Sequence, residues 1–271
     1  MGETMKERVF TVLNDSKIIC AVWDDVKKPV GVIQIIHGIY DNIKTYNRFA
    51  RFMNKNGYIV FGTSRALDSR ETDCPRTFDK SVKLQIKIMN FLSNQYKLPV
   101  FLFGYGYGGF ITQSILQKSD IPAAGVCLAG TGKYPTIILQ IATLFAWVCT
   151  KLFGANAPAT ILNRISMGAH RARNGIKCTN GFYLELFRGL RTIKPDPAFD
   201  TPILMISGAN DTHSANAQFS RALYDAYRDN GIMRVSLIIY PDTCDNLLLE
   251  MNYGSMLKDI VDFFNRAKSR Q

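Results

Sequence analysis

The residues best suited to chemistry form a glycine-rich turn, Gly104-Tyr105-Gly106-Tyr107-Gly108. An apolar strand pattern precedes this turn and a helical pattern follows it. Turns of that kind hold a nucleophilic side chain at their middle position in enzymes that attack esters and amides. The middle residue here is Gly106, which has no side chain. The sequence therefore predicts the backbone of a nucleophile site without the nucleophile.

The same glycines allow a second interpretation, a loop that binds the pyrophosphate of a dinucleotide. Such a loop follows the first strand of its fold and is accompanied by an acidic residue that binds the ribose. The turn at Gly106 comes later among the predicted strands and has no acidic partner in that context. The nucleophile-site interpretation therefore fits the sequence better.

Acid–base chemistry could come from Asp211 or from one of three histidines. Asp211 follows a late apolar strand, in Ser207-Gly208-Ala209-Asn210-Asp211. His37 belongs to a His-Gly motif after an early strand, and His170 lies in a separate helical region. His213, two residues beyond Asp211, is the one candidate base, and a solvated loop histidine is the alternative interpretation.

A replacement nucleophile is not evident near the turn. No serine, cysteine or threonine lies within five residues of Gly106, and Thr112 and Ser114 fall inside the following helix. Cys244 lies in a loop after the last strand, where a packing or surface cysteine is the alternative to a reactive thiol.

Composition and charge indicate a globular chain with a basic surface. Of 271 residues 47% are hydrophobic, and 33 Lys and Arg against 22 Asp and Glu give a net charge of +11. No basic run is interleaved with aromatic residues, so we expect no nucleic-acid binding. Three interpretations of the charge remain: a solvated surface, attraction of acidic metabolites, and peripheral contact with an anionic membrane surface.

Cysteine spacing and the N-terminal residues bear on the compartment. Six cysteines are scattered without a C-x-x-C pair, which favours reduced thiols in a cytoplasmic protein over disulfides or a metal site. Residues 1–8 contain no apolar run, so we expect no signal peptide. Lys6 departs from the myristoylation pattern. We expect no cofactor and no metal.

Strand and helix patterns alternate along the chain. Predicted strands cover residues 9–13, 18–23, 31–36, 58–61, 100–103, 125–128, 203–206 and 235–240. Predicted helices cover residues 46–56, 80–95, 110–117, 215–229 and 256–267. This alternation predicts one α/β domain, residues 1–271, with a mostly parallel sheet covered by helices on both faces.

One segment, residues 131–191, interrupts the alternation, and we name it the cap segment. Its residues 136–153 are nearly all apolar and approach the length of a membrane span. Gln140, Thr143, Thr150 and Lys151 argue against a span, as do the sheet strands predicted on either side. A helix packed over the sheet and a lid over an acyl pocket that touches a membrane surface are the two compatible alternatives.

Four motifs that follow strands occur in a fixed order: His37-Gly38-Ile39, the turn at Gly106, the stretch ending at Asp211, and Tyr240-Pro241. Together with the cap segment they resemble the monoglyceride lipase and lysophospholipase branch of the α/β-hydrolases. The resemblance covers nearly the whole chain and implies the α/β-hydrolase fold. It also implies a catalytic serine, activated by a histidine that an acidic residue orients.

When the three catalytic residues implied by the resemblance are matched to this sequence position by position, two of them are missing. The acid matches Asp211, the serine position is Gly106, and the histidine position in Tyr240-Pro241-Asp242-Thr243-Cys244-Asp245 is Asp245. The family's D-H-R-G-H-G stretch is also absent from residues 62–68. Two carboxylates at Asp211 and Asp245 would raise one another's pKa or bind a cation.

The resemblance further implies an oxyanion hole made by the backbone N–H groups of Ile39 and Tyr107, which side-chain changes leave intact. His37, Gly38, Tyr40 and Tyr105 would belong to the pocket. Tyr40, Tyr105 and Tyr107 would line or fill the vacated space, with core packing of these tyrosines as the alternative. We expect a catalytically impaired protein that binds a lipid-like or small apolar ligand, or a partner. A carboxylic ester hydrolase with an unrecognised nucleophile is the alternative.

Overall fold

A single sheet of eight strands lies at the centre of the part of the chain that the computed structural model describes, residues 6–11, 17–39, 41–66, 77–171, 178–244, 247 and 253–269. The strands are β1 (Lys6–Thr11), β2 (Lys17–Trp23), β3 (Gly31–Ile36), β4 (Tyr58–Ala66), β5 (Val100–Tyr105), β6 (Gly125–Ala129), β7 (Ile203–Gly208) and β8 (Val235–Tyr240).

Eight α-helices and two short 3-10 helices connect these strands within the described residues. The α-helices are α1 (Asn47–Lys55), α2 (Phe78–Tyr96), α3 (Tyr107–Lys118), α4 (Thr136–Phe153), α5 (Thr160–Arg171), α6 (Asn180–Leu190), α7 (Gln218–Asp229) and α8 (Tyr253–Lys268). The 3-10 helices are Ile43–Tyr46 and Thr212–Ser214.

The sheet has the order β1-β2-β4-β3-β5-β6-β7-β8. Strand β2 pairs antiparallel with β1 and β4, and every other neighbouring pair is parallel. The carboxyl ends of β3, β5, β6, β7 and β8 therefore lie along one edge of the sheet. In sheets of this kind that edge holds the functional loops.

Helices cover both faces of the sheet, as the sequence predicts. Every residue of β5 is buried, and its side chains alternate between two cores. Leu102 lies in the core beneath α2, α3 and α7, whereas Phe101 and Phe103 lie in the core beneath α1 and α8. Burial on both sides explains why the central strands are continuous apolar runs.

Most elements differ from their predicted bounds by one to three residues, and two of the differences, in β4 and α7, have a clear structural cause. Strand β4 continues past the predicted end at residue 61 because the backbone of Thr63 and Ala66 pairs with β2. Helix α7 begins at Gln218 rather than at residue 215, because Ala215, Asn216 and Ala217 have positive φ angles of 50°, 56° and 65°. An α-helix requires negative φ, so helix propensity alone misplaced this start.

Helices α4, α5 and α6 lie within the cap segment, between β6 and β7. Helix α6 contacts both α4 and α2, and the Phe182 ring lies 5.9 Å from the Tyr107 ring at the start of α3. The cap segment therefore reaches the turn at Gly106. Its predicted role as a lid stays a prediction.

Candidate functional site

Gly106 joins β5 to α3 in a backbone conformation that favours glycine. Its φ is 53° and its ψ is −115°, and the Gly106 N–H donates to the Ala129 carbonyl at 2.9 Å. The Gly106 carbonyl accepts from the Gly109 N–H, also at 2.9 Å. Another residue would be strained by about 1–3 kcal/mol in such a conformation. The chain thus forms the sharp turn predicted from its sequence.

The glycines beside Gly106 are required by close packing. A Cβ on Gly108 would overlap the carbonyl oxygen of Ile36, the last residue of β3. A Cβ on Gly109 would lie 2.7 Å from the Thr131 side chain. The first turn of α3 is therefore pressed against the end of β3 and against the loop that follows β6.

The space beside Gly106 itself is open. Within the described part of the chain, no heavy atom outside residues 105–107 lies within 4 Å of the position that a Cβ on Gly106 would occupy. The rings of the two neighbours, Tyr105 and Tyr107, make packing contacts of their own. Tyr105 is 4% exposed in the core beneath α1 and α8, and Tyr107 stacks edge-on against Phe78 of α2. These two tyrosines pack in the structure, and Tyr40 lies outside the described residues.

The His37-Gly38-Ile39 loop is held by an aspartate that the sequence reasoning missed. The Asp41 Oδ2 atom accepts from the Gly38 N–H at 3.1 Å and from the Tyr46 hydroxyl at 2.9 Å. Burial, followed by the Asp41 charge, raises the pKa of Tyr46 well above its usual value. His37 Nδ1 lies 2.8 Å from the Gly38 carbonyl oxygen. An aspartate three residues after a loop glycine was the available signal.

The loop that carries Ile39 and the first residue of α3, Tyr107, lie at the same edge of the sheet. The contact of Gly108 with the end of β3 brings the two backbones together. Both residues are half-buried. Their role as oxyanion donors stays a prediction, because it depends on a bound acyl group.

Asp211 is buried at the same edge, just after β7. Its side chain is 2% exposed, and its Oδ1 atom accepts from the Ser214 N–H at 3.3 Å. Residues 215–217, which have positive φ, turn the chain back toward Asp211. The Asn216 N–H donates to the Asp211 carbonyl at 2.7 Å. The position predicted for the acid therefore holds a carboxylate in a tightly folded turn.

The loop after β8 lies directly beside the Asp211 loop. The Asn210 N–H donates to the Thr243 carbonyl at 2.9 Å, and a Cβ on Gly208 would overlap that same carbonyl oxygen. Cys244, the next residue, is exposed. Asp245 lies outside the described residues, so its predicted proximity to Asp211 stays a prediction.

Tyr134, between β6 and α4, has a pKa that depends on the Asp211 charge. Burial first, and the Asp211 carboxylate second, raise the pKa of Tyr134 to about 12. The Tyr134 ring packs 4.7 Å from the Phe219 ring and 5.6 Å from the Phe110 ring. Phe110, Tyr134 and Phe219 therefore form an aromatic cluster that includes the tyrosine affected by Asp211.

Thr112 and Ser114, the hydroxyl groups closest to the turn in the sequence, are buried in α3. Thr112 is fully buried and donates to the Gly108 carbonyl at 2.8 Å, and Ser114 is 2% exposed inside α3. His213 lies in the 3-10 helix Thr212–Ser214, and the His170 backbone lies in α5, but the side chains of both are outside the described residues. Among the described residues, no three His, Cys, Asp or Glu side chains form a group that could hold a metal ion.

Comparison with known proteins gives a family match along most of the chain. Residues 27–252 match the family described as serine aminopeptidase, S33. A putative monoglyceride lipase of Schizosaccharomyces pombe is 24% identical over 252 residues, which are 84% of this chain. The matched region spans 65% of the length of that relative.

Solved structures show the same fold. A lipase in an open form superposes with a TM-score of 0.79 at 18% identity, covering 98% of this chain and 99% of the other. A thermostable carboxyl esterase from Bacillus coagulans, bound to glycerol, gives 0.79 at 15% identity, covering 97% and 99%. A soluble variant of monoglyceride lipase from Saccharomyces cerevisiae, bound to a substrate analogue, gives 0.71 at 13% identity, covering 98% and 96%. The architecture predicted from the sequence, the α/β-hydrolase fold, is confirmed.

Proposed function

Because this chain belongs to the serine aminopeptidase, S33, family of the α/β-hydrolases, we propose that it is a catalytically impaired member that binds a lipid-like ligand. Acyl transfer in such a fold begins with attack by an activated side chain at the turn between β5 and α3. Gly106 offers no atom for that attack. The proposal therefore rests on the backbone and the surroundings of this one residue.

The open space beside Gly106 is the observation that carries the proposal. A serine side chain would begin where no described heavy atom outside residues 105–107 lies within 4 Å. The turn thus keeps room for a reacting group and lacks the group. Apart from Tyr105 and Tyr107, no described side chain has to move for a ligand to approach the backbone there.

Backbone donors give this site its expected ligand chemistry. The first N–H groups of α3 point toward the turn, and a helix N-terminus attracts partial or full negative charge. An ester or carboxyl oxygen suits such donors. The relatives bear the names monoglyceride lipase and carboxyl esterase, which supports an acylglycerol or fatty acid as the ligand class.

A carboxylic ester hydrolase with a different nucleophile is the second candidate, and family membership favours it. Cys244 is the exposed cysteine among the described residues, and it follows Thr243 in the loop beside Asp211. Attack by its Sγ on an ester carbonyl would form a thioester and release the alcohol. Water would then have to release the acid.

Ester hydrolysis separates the two candidates. We expect the native chain to hydrolyse neither monoacylglycerol nor an activated ester above the buffer rate. Gly106→Ser combined with Asp245→His should hydrolyse the activated ester, while Gly106→Ala with Asp245→His, which lacks only the hydroxyl, should not. Hydrolysis by the native chain that is lost in Cys244→Ala would establish the second candidate instead.

Ligand binding is tested by displacement of a fluorescent fatty acid from the native chain. Gly106→Leu would fill the open space and should weaken binding, because its side chain occupies the ligand's position. Gly231→Leu is the matched control, since Gly231 also has a positive φ, of 80°, and open surroundings. Equal affinity in both variants would place the ligand elsewhere.

A further inference from the structure

Helix α4 presents a row of exposed apolar side chains, which we name the apolar face. Exposure ranges from 38% for Phe145 to 71% for Leu152. The residues of the apolar face are Ile137, Ile138, Ile141, Leu144, Phe145, Trp147, Leu152 and Phe153. Exposed apolar clusters of this size mark sites that contact a membrane or another molecule.

The opposite side of α4 is packed within the protein. Leu139 and Ala146 are buried, and α4 contacts α6. Among the described residues α4 is the one helix long and apolar enough to cross a membrane, and 22% of it is buried. A span would surround α4 with lipid, whereas here α6 covers one side. The geometry fits a helix lying in a membrane surface rather than crossing it.

The charged residues within the sequences of α4 and α5 have one sign. No aspartate or glutamate occurs between Asp120 and Glu185, although the whole chain has 22 acidic residues. The same interval contains six basic residues, Lys133, Lys151, Arg164, Arg171, Arg173 and Lys177. Lys133, Lys151 and Arg164 are exposed. Basic side chains next to exposed apolar ones complement a surface of anionic lipid headgroups.

Helix α5 repeats this combination on a smaller scale. Ile161 is 57% exposed and Ile165 is 68% exposed, with the exposed Arg164 beside them. Two separate helices of the cap segment thus combine outward aliphatic groups with a cation. A second copy of this chain is a poor occupant, because two cap segments, each with one acidic residue against eight basic ones, would repel one another.

We propose that the apolar face docks the protein on a membrane surface that contains anionic phospholipids, with α4 lying parallel to the membrane plane. Aliphatic and aromatic side chains of α4 enter the acyl boundary, while Lys133, Lys151 and Arg164 contact headgroup phosphates. This docking does not depend on whether the turn at Gly106 is reactive. Failure of the ligand proposal and failure of docking are therefore distinguishable.

Native tryptophan fluorescence reports the docking directly. The chain has two tryptophans, of which Trp147 lies on the apolar face at 43% exposure and Trp23 is 2% exposed. Phosphatidylcholine vesicles with phosphatidylserine should shift the emission to shorter wavelength, and lipids brominated on the acyl chain should quench it. Both effects should disappear in Trp147→Phe. Vesicles of phosphatidylcholine alone should give a much smaller shift.

Flotation with the same vesicles tests the two components of the surface separately. Ile141→Asn with Leu144→Asn removes apolar contact, and Met233→Asn, at an exposed site outside the cap segment, is its control. Lys151→Glu with Arg164→Glu reverses two charges, and Lys55→Glu with Lys258→Glu changes net charge equally elsewhere. Each cap variant should lower the partition coefficient at least ~10-fold, and added salt should weaken native binding.

Three results would overturn the proposal. Flotation that is equal for native chain, cap variants and controls would mean that another surface binds. Absence of binding to anionic vesicles at low salt would exclude a membrane partner. Sedimentation as a dimer that the α4 variants dissociate would identify a second copy of the chain as the occupant. Circular dichroism of each variant establishes that it is folded.

Discussion

The turn at Gly106 and the apolar face of α4 differ in what determines their residues. At the turn, contacts inside the molecule explain the glycines, because Gly108 touches the end of β3 and Gly109 touches Thr131. On α4, Ile141 is 62% exposed and Leu144 is 61% exposed, so packing within the protein does not explain why they are apolar. The first region is explained by the fold, and the second by the proposed contact with a membrane surface.

The two regions also show that the shape of a site and its reactive groups have to be judged separately. The turn has the backbone shape expected of a hydrolase site with a glycine at its middle position, so its shape alone is a poor guide to activity. None of the predicted site residues lies on the apolar face. Its residue types nevertheless point to a partner, because exposed aliphatic groups are unfavourable in water unless something covers them.

Substitution of Gly108 should have the largest effect. Gly108→Ala places a Cβ on the carbonyl oxygen of Ile36, so the start of α3 must move away from β3. We expect the free energy of unfolding, measured in urea, to fall by about 4 kcal/mol or more, or the protein not to fold. Gly254→Ala is the control, since Gly254 has open surroundings in α8 and should change little. A stable Gly108→Ala variant would refute the packing described for the turn.

A pair of alanine substitutions on α4 tests whether its two sides differ. Leu139→Ala removes a buried side chain and should cost about 2–5 kcal/mol. Ile141→Ala, two residues away on the apolar face, should change the free energy of unfolding by less than about 0.5 kcal/mol. If both variants lost the same stability, the apolar face would be part of the core, and the comparison would fail.

Substitution at Gly106 should have an intermediate effect that comes from the backbone alone. Gly106→Ala should lower the free energy of unfolding by about 1–3 kcal/mol, because its φ is 53°. No clash contributes, since the space is open. A loss as large as that of Gly108→Ala would show that the space is filled.

The smallest of these expected effects is a change in the pKa of Tyr134 when the Asp211 carboxylate is removed. Tyr134 has a pKa of about 12, above that of an unfolded tyrosine, so its stabilising contribution is complete below about pH 10 and is lost as the pH rises through about 12. Asp211→Asn removes a charge that disfavours tyrosinate and should lower this pKa. Tyr58, whose pKa burial alone raises to about 12, is the internal control. Ultraviolet absorbance of tyrosinate, with Tyr134→Phe to assign the signal, measures the difference.

The sequence predicts the sheet and its edge better than the details of the site. Continuous apolar runs identified β3, β5 and β7, and both Gly106 and Asp211 lie after strands as expected. The backbone around Asp211 was not predictable, because Ala215 and Ala217 favour a helix in isolation, while the turn holds them left-handed. Tertiary hydrogen bonds overrode local propensity there.

The directions of the side chains at the site could not be predicted from the sequence either. Three tyrosines near the turn suggested a filled pocket, yet the Tyr105 ring enters the core and the Tyr107 ring points to α2 and α6. The apolar composition of α4 predicted a helix without showing which side faces outward. That distinction depends on where α6 packs.

Active-site-directed labelling tests the central claim most directly. The native chain is incubated with a fluorophosphonate, which reacts with activated serines, and its intact mass is measured. We predict no adduct on the native chain and one adduct on Gly106→Ser with Asp245→His, located by peptide mapping at residue 106. An adduct on any serine of the native chain would contradict the account and identify a working hydrolase.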